Sequence, residues 1–415
     1  MRVAMVSEHA NPLTPLGGQD SGGRNLQVAE LSAALVRQGH EVTVYTRRSD
    51  SGSPAEVLTD RGYRVVHVPA GPAGDVGKDE LLPYMGEFAR FLRERWETDP
   101  PDVVHAHFWM SGLAAVSATR GLDIPVVQTF HALGTVERRH LDRDDTSPPE
   151  RIGTERMLGR EADRIAATCS DEVTELTRLG VPRARTSIVP GGVDPDLFRP
   201  EGDRMPPGTL THRLVAVGRL VPRKGFATAI AALRALPDTE LVIAGGPDKA
   251  ELGDDEHARF LRSFAESLGV GDQVQLLGRV SREELPALLR SADALVCTPW
   301  YEPFGIVALE AMACGVPVVA SAVGGLTDTV VDGITGVLVP PRKPRALAGA
   351  LHHLLTHRTI GEQLGAAGRD RAWARYSWDR VTAELVRVYE RAGATTATST
   401  ESSPAADTPV GVTTA

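Results

Sequence analysis

The chain has 415 residues, 42% of them hydrophobic and 24% charged, with a formal net charge of −9. That length exceeds one core and predicts two domains of about 200 residues. The acidic balance argues against nucleic acid as a partner, since phosphate backbones select basic faces.

The opening stretch MRVAMVSEHA runs straight into a strand pattern, with no basic segment followed by an apolar one, so no secretory signal is expected. No apolar run approaches the ~20 residues that a membrane span needs. Cys169, Cys297 and Cys314 are scattered without metal-ligand spacing. They are expected to be reduced core residues of a cytoplasmic protein.

Apolar β-branched runs alternate with helical patterns from the start: RVAMVS, EVTVYT, RVVHVP, DVVHAH, PVVQTF and RIAATC. After residue 210 the alternation restarts with RLVAVGRL, ELVIAG, QVQLLGRV, DALVCTP, PVVASAV and GVLVPP. Continuous apolar strands separated by helices imply parallel sheets covered on both faces. Between the two series, residues 190 to 212 are rich in proline, glycine and charge and read as a linker. The expectation is two doubly wound Rossmann-like α/β domains, 1–195 and 205–375, facing across a cleft. A late helix over 376–393 and a polar tail over 394–415 complete the chain. Lacking aromatic residues, that tail cannot bury enough surface to fold.

Ligands of such sheets bind beyond the carboxyl ends of strands, so the loops after strands hold the candidates. After the first strand, GGQDSGGRNLQVAELSAALVRQG places Gly17, Gly18, Gly22 and Gly23 in a loop that opens into a helix near Asn25. Leu26, Ala29, Leu31, Ala34 and Leu35 fall on the inner side of that helix. The spacing is not G-x-G-x-x-G, which lowers the prospect of a nicotinamide dinucleotide. Lys78 follows in a glycine-rich loop, GPAGDVGKDE. The strand DVVHAH puts His105 and His107 on one face. With no carboxylate or third histidine nearby, these read as core or cleft-wall residues rather than a metal pair. His131 ends the strand VVQTF, and the charge-rich segment ERRHLDRDDTSPPER leads to Arg151. That segment reads as an exposed acceptor-side or lid loop.

In the second half, VGRLVPRKGF supplies Arg219 directly after a strand and Lys224 before a helix. A helix dipole disfavours cations at its start, so a compensating anion is wanted there. Arg223, between them, reads as a solvated extra charge. Further on, LLGRVSREELPALL places Arg279 after a strand. The segment TPWYEPFGIVALEAMACGVPVVASAVGGLTDTVVDGITGVLVPP then places Glu302 in a loop, Gly305 at a turn and Glu310 inside a short helix. The N–H groups of Phe304, Gly305 and Ile306 should be bare and backed by the helix dipole, an arrangement suited to a diphosphate. Glu310, about two turns in, can accept hydrogen bonds from a ribose diol.

The strings EPFGIVALEAMACGVPVVAS, GGLTDTVVDGITGVLV and G-R-L-x-x-x-K-G resemble the nucleotide-sugar signature of retaining GT-B glycosyltransferases of family 4, over residues 1 to 392. The resemblance implies a hexosyltransferase that takes a UDP- or GDP-sugar and passes its sugar, with retention, to a sugar phosphate, cyclitol or glycan hydroxyl. It implies that Arg219 and Lys224 hold the diphosphate, Glu302 meets the donor sugar and Glu310 the ribose. His131 would contact the sugar near its 6-hydroxyl, and the backbone at Arg279 the nucleobase. Gly23 and Asn25 would approach the diphosphate and the acceptor. Lys78 and Arg151 resemble the acceptor-phosphate residues of the sucrose-phosphate synthase and inositol-phosphate N-acetylglucosaminyltransferase branches. Phe108 and Ala132 stand where tyrosine and threonine are expected in the inositol-phosphate branch, removing two hydroxyl donors.

Cleavage of the anomeric C–O bond with build-up of negative charge on the leaving β-phosphate is the step that residues of this kind would stabilise, and a carboxylate pair of the hydrolase type is not required. With two cations, a helix start and no D-x-D in a suitable loop, no metal or other cofactor is expected. The partners implied are a nucleotide sugar and an acceptor, with a homodimer left open. A nucleotide-sugar epimerase, a silent nucleotide-sugar binder and a vitamin-dependent phosphorylase of the same architecture remain as alternatives.

Overall fold

A computed structural model of the chain describes residues 1–14, 23–141 and 146–394. Gly17, Gly18 and Gly22, the middle of the charge-rich segment and the tail beyond residue 394 lie outside the described residues. No helix among the described residues is long and apolar enough to cross a membrane.

The first sheet contains β1 (Arg2–Val6), β2 (Glu41–Arg47), β3 (Glu56–Leu58), β4 (Arg64–Val68), β5 (Val103–His107), β6 (Val126–Thr129), β7 (Arg164–Ala167) and β8 (Thr186–Ile188). Their spatial order is β3-β4-β2-β1-β5-β6-β7-β8. The second sheet, ordered β11-β10-β9-β12-β13-β14, contains β9 (His212–Val217), β10 (Thr239–Ala244), β11 (Val274–Gly278), β12 (Ala294–Cys297), β13 (Val318–Ser321) and β14 (Val337–Val339). Two α/β domains result, each with a point where the strand order reverses: between β1 and β5, and between β9 and β12. Crevices at such points receive ligands.

All described pairings are parallel except one. The edge strand β3 runs antiparallel to β4, pairing Glu56 with Val66 and Leu58 with Arg64. Only residues 59–63 join the two strands, too few for the crossover that a parallel neighbour requires. Neither β3 nor β8 is marked by an apolar run. Each has three residues, EVL and TSI, and draws its order from the strand beside it.

The central strands are largely apolar because both faces are covered. In the first domain Val104, Ala106, Phe88 and Trp96 pack on one face, and Val3, Met5, Val44 and Val103 on the other. The helix Gly23–Arg37 is buried at every position from Asn25 to Leu35, not on an inner side alone. Its outer face is covered by the helix Trp378–Ala392, which carries Val381, Leu385, Val388 and Tyr389 into the same core. Arg37 donates to Asp379 at the rim of that contact, 2.7 Å away. The chain therefore passes between the domains twice at neighbouring points, and the N–H of Val193 donates to the carbonyl of Tyr376 there. The three cysteines are free thiols, each pushed up to about 12 first by burial.

Candidate active site

The carboxyl ends of the two sheets face a cavity of about 750 Å³ lined by both domains. From the first come Gly23, Asn25, Lys78 and His131, and from the second Arg219, Lys224, Glu302, Phe304, Gly305, Ile306 and Glu310. Arg151 and Arg279 do not line it.

On the second-domain wall, β9 delivers Arg219, and a single turn over Pro222–Lys224 then aims Lys224 back across the sheet. Gly225 ends that turn in the left-handed region at φ 69°, with its Cα against the carbonyl of Thr298, where a Cβ would collide. Lys224 Nζ donates to Glu302 Oε2 at 2.5 Å. Burial, the largest influence on Glu302, would raise its pKa, but Lys224, Arg223 and Arg219 together hold it below the usual carboxylate range. Arg223, expected in solvent, lines the cavity instead, because the tight turn keeps successive side chains near the same mouth.

Gly305 caps the helix Ile306–Ala313 at φ 85°. Among the described residues the N–H groups of Phe304, Gly305 and Ile306 donate to nothing, and all three residues line the cavity. Eight residues after Glu302, Glu310 is buried, and Arg282 donates to its Oε1 at 2.7 Å. The guanidinium of Arg282 is itself braced over Phe198, 4.9 Å from the ring centre. Arg279 turns the other way. Its guanidinium meets Asp248 at 3.1 Å, and its N–H donates to Pro247.

On the first-domain wall, His131 sits at φ 62° beyond the end of β6. His131 Nε2 and His107 Nδ1 share a hydrogen bond at 3.0 Å. Behind them His105 bonds Tyr389 at 2.8 Å and Thr129 at 2.9 Å. The H-x-H pair is thus committed to neighbouring side chains, and no group of three His, Cys, Asp or Glu among the described residues could hold a metal. Burial, helped by the neighbouring imidazoles and Arg24, drives His131 well below its ordinary pKa, so its ring is neutral. Burial takes His107 down to about 3.

Asn25 donates to the carbonyl of Asn11 at 3.0 Å. Arg24, which its neighbours Gly23 and Asn25 overshadow in the sequence, also lines the cavity and donates to His9 Nε2 at 2.9 Å. Its guanidinium lies over Phe108, 4.3 Å from the ring centre. Arg151 lies behind the wall with a side chain 1% exposed. It donates to Glu155 at 2.9 Å, to Ser147 at 2.8 Å, to the carbonyl of Ala132 at 3.0 Å and to Glu137. Charged side chains that meet in this way, as Arg24, Arg282 and Glu137 do, carry no spacing signal in the sequence.

Comparison with known proteins agrees with this geometry. Residues 21–197 match the family described as Glycosyltransferase Family 4, and residues 211–371 match Glycosyl transferases group 1. A D-inositol 3-phosphate glycosyltransferase of Xylanimonas cellulosilytica is 38% identical over 412 residues, covering 94% of this chain and 97% of its own. The protein of the same name from Mycobacterium tuberculosis is 36% identical, over 94% of this chain and 83% of its own. The solved sucrose-phosphate synthase from Thermosynechococcus elongatus superposes with a TM-score of 0.85 at 30% identity, covering 94% and 98% of the two chains. Anabaena HepE, solved with UDP and glucose, shares the fold at a TM-score of 0.70 and 18% identity, over 94% and 99%. Twin sheets opening on one shared cleft, matched end to end by these relatives, make the chain a member of the family 4 glycosyltransferases, retaining enzymes of the GT-B fold.

Proposed function

We propose that the protein moves a hexosyl group from a UDP- or GDP-sugar to a hydroxyl of a small polyol, a sugar or cyclitol in free or phosphorylated form. The observation that carries this reading is the convergence of Arg219, Lys224 and the bare N–H groups of Phe304, Gly305 and Ile306 on one stretch of cavity wall. Cleavage of the anomeric C–O bond loads charge onto the leaving β-phosphate. Fixed positive charge and backbone dipoles aimed at that oxygen lower the barrier without reorganising. Lys224 donates to the diphosphate, releasing Glu302 to accept from a sugar hydroxyl. Glu310, its Oε1 held by Arg282, accepts from the ribose. With the N–H of Arg279 committed to Pro247, the carbonyl of Arg279 is the backbone group left to receive a base N–H. His131, kept neutral, hydrogen-bonds the sugar. Asn25 and Lys78 face the acceptor, and Arg151 supports that end from behind.

A thermal-shift panel of UDP, GDP, ADP and their sugars tests the donor half. A ligand at a hundred times its Kd adds about 2.7 kcal/mol of stability. A clear shift with one nucleotide that disappears in Lys224→Ala is expected; no shift with any of them would overturn the reading.

A further inference from the structure

We propose that the acceptor is an unphosphorylated polyol, because Glu137 already supplies, at the acceptor end of the cavity, the negative charge that a phosphorylated acceptor would bring. This rests on the assignment of the Lys78 and Asn25 end to the acceptor.

Glu137 comes from the helix Gly134–Leu141, which starts three residues after His131 and brings the carboxylate into the cavity wall beside Lys78, Arg24 and His131. Its side chain is 21% exposed and is ion-paired with Arg151, the cation that an acceptor phosphate would otherwise claim. Nε, Nη1 and Nη2 of Arg151 each donate within the protein already. Burial alone would raise the pKa of Glu137, but Arg151, Lys78 and Arg24 outweigh it and keep the group ionised. Arg151 is therefore compensated from inside the protein.

A phosphate arriving at this spot would lie against a like charge and find the Arg151 guanidinium already committed. Positions 108 and 132 supply no hydroxyl donor either. Phe108 is buried against the guanidinium groups of Arg24 and Arg151, 4.3 and 5.1 Å from its ring centre, and Ala132 offers only a carbonyl, taken by Arg151. A neutral polyol meets the opposite situation. Its hydroxyls donate to the Glu137 carboxylate and accept from Lys78, with no net charge brought into the wall.

Three readouts on the full chain decide this. Transfer by the wild type is compared for matched acceptors: myo-inositol with inositol 1-phosphate, and glucose with glucose 6-phosphate. The free member should be preferred by about tenfold or more in kcat/KM, the scale of one uncompensated charge in a partly buried site. Inorganic phosphate binding is then measured by calorimetry in the wild type, Glu137→Gln and Glu137→Lys. Both variants should bind phosphate about tenfold or more tightly than the wild type. Since the donor end is unchanged, its contribution cancels in the comparison. Preference for a phosphorylated acceptor, or phosphate affinity that ignores position 137, would overturn the proposal. Should the variants fold poorly, the wild-type acceptor pairs decide alone. Should no acceptor react, the calorimetric difference decides. The nucleotide shift is recorded for every protein, so loss of the donor reading shows as a missing UDP or GDP shift and is distinct from either outcome here.

Discussion

Lys224 and Glu302 meet 2.5 Å apart although 78 residues separate them, because β9 and β12, the strands that deliver them, are hydrogen-bonded neighbours where the second sheet reverses its order. Each partner is less than a fifth exposed, so the pair holds two partly dehydrated charges ready at the carboxyl ends of the strands.

Lys224→Ala should lose about 3 kcal/mol of transition-state stabilisation, roughly a hundredfold in kcat/KM. Steady-state kinetics with the donor found by thermal shift would show it. A loss below about threefold removes Lys224 from the diphosphate.

Arg282 holds the Oε1 of Glu310, so its removal should act on donor binding. For Arg282→Ala we expect the donor KM to rise by about tenfold while kcat changes by less than about threefold, the pattern of a lost uniform binding interaction. A kcat that falls with KM unchanged would place Arg282 in contact with the reacting groups instead.

The buried histidines set an acid limit on stability. Burial depresses His105, His107 and His131, so below about pH 6.5 the unfolded chain takes up protons that the folded chain refuses, and stability falls as pH falls. Each such group contributes about 1.4 kcal/mol per pH unit. Glu155, pushed up to about 7 chiefly by burial, works the other way, as do Asp171 and Glu172, also raised chiefly by burial. But His40, His140 and His257 are depressed as well, which leaves three groups against six. Urea denaturation at pH 7 and pH 5 should show a lower midpoint at pH 5. An unchanged or higher midpoint would mean that the imidazoles protonate in place.

Gly225→Ala tests the turn that aims Lys224. The residue sits at φ 69°, a region that costs a side chain about 1–2 kcal/mol, and the new Cβ would also strike the Thr298 carbonyl. We expect a total loss of about 2–4 kcal/mol in chemical denaturation, with activity falling further than stability as Lys224 is displaced. A variant of wild-type stability and activity would show that the turn tolerates another path.

On the proposed donor site, positive charge on the diphosphate would come from Arg219, Lys224 and helix-start amides, so transfer should persist in excess EDTA with a rate reduced by less than about twofold. Loss of turnover in EDTA, restored by magnesium or manganese, would add a metal to the donor site.

Much of the architecture is local and therefore legible. Strands buried on both faces must be largely apolar, which is why RVAMV, ELVIA and VVAS announce themselves and the two domains with them. Gly305 marks a helix start by the same logic, since a left-handed residue with Leu326 against its Cα has no room for a side chain. The strands β3 and β8 escape notice because pairing with a neighbour, rather than their own composition, makes them strands. Charged side chains are the other case. Nothing in the spacing of Arg151 distinguishes a guanidinium turned inward onto Glu137 and Glu155 from one that faces a ligand, and nothing in VERRH sets Glu137 apart from a solvated acid. A long charged side chain takes its direction from the counter-charge that the packed fold brings within reach. The chain alone could thus determine the sheets and the glycine turns that open the cleft, while only the assembled domains decided which charges inside it are already balanced.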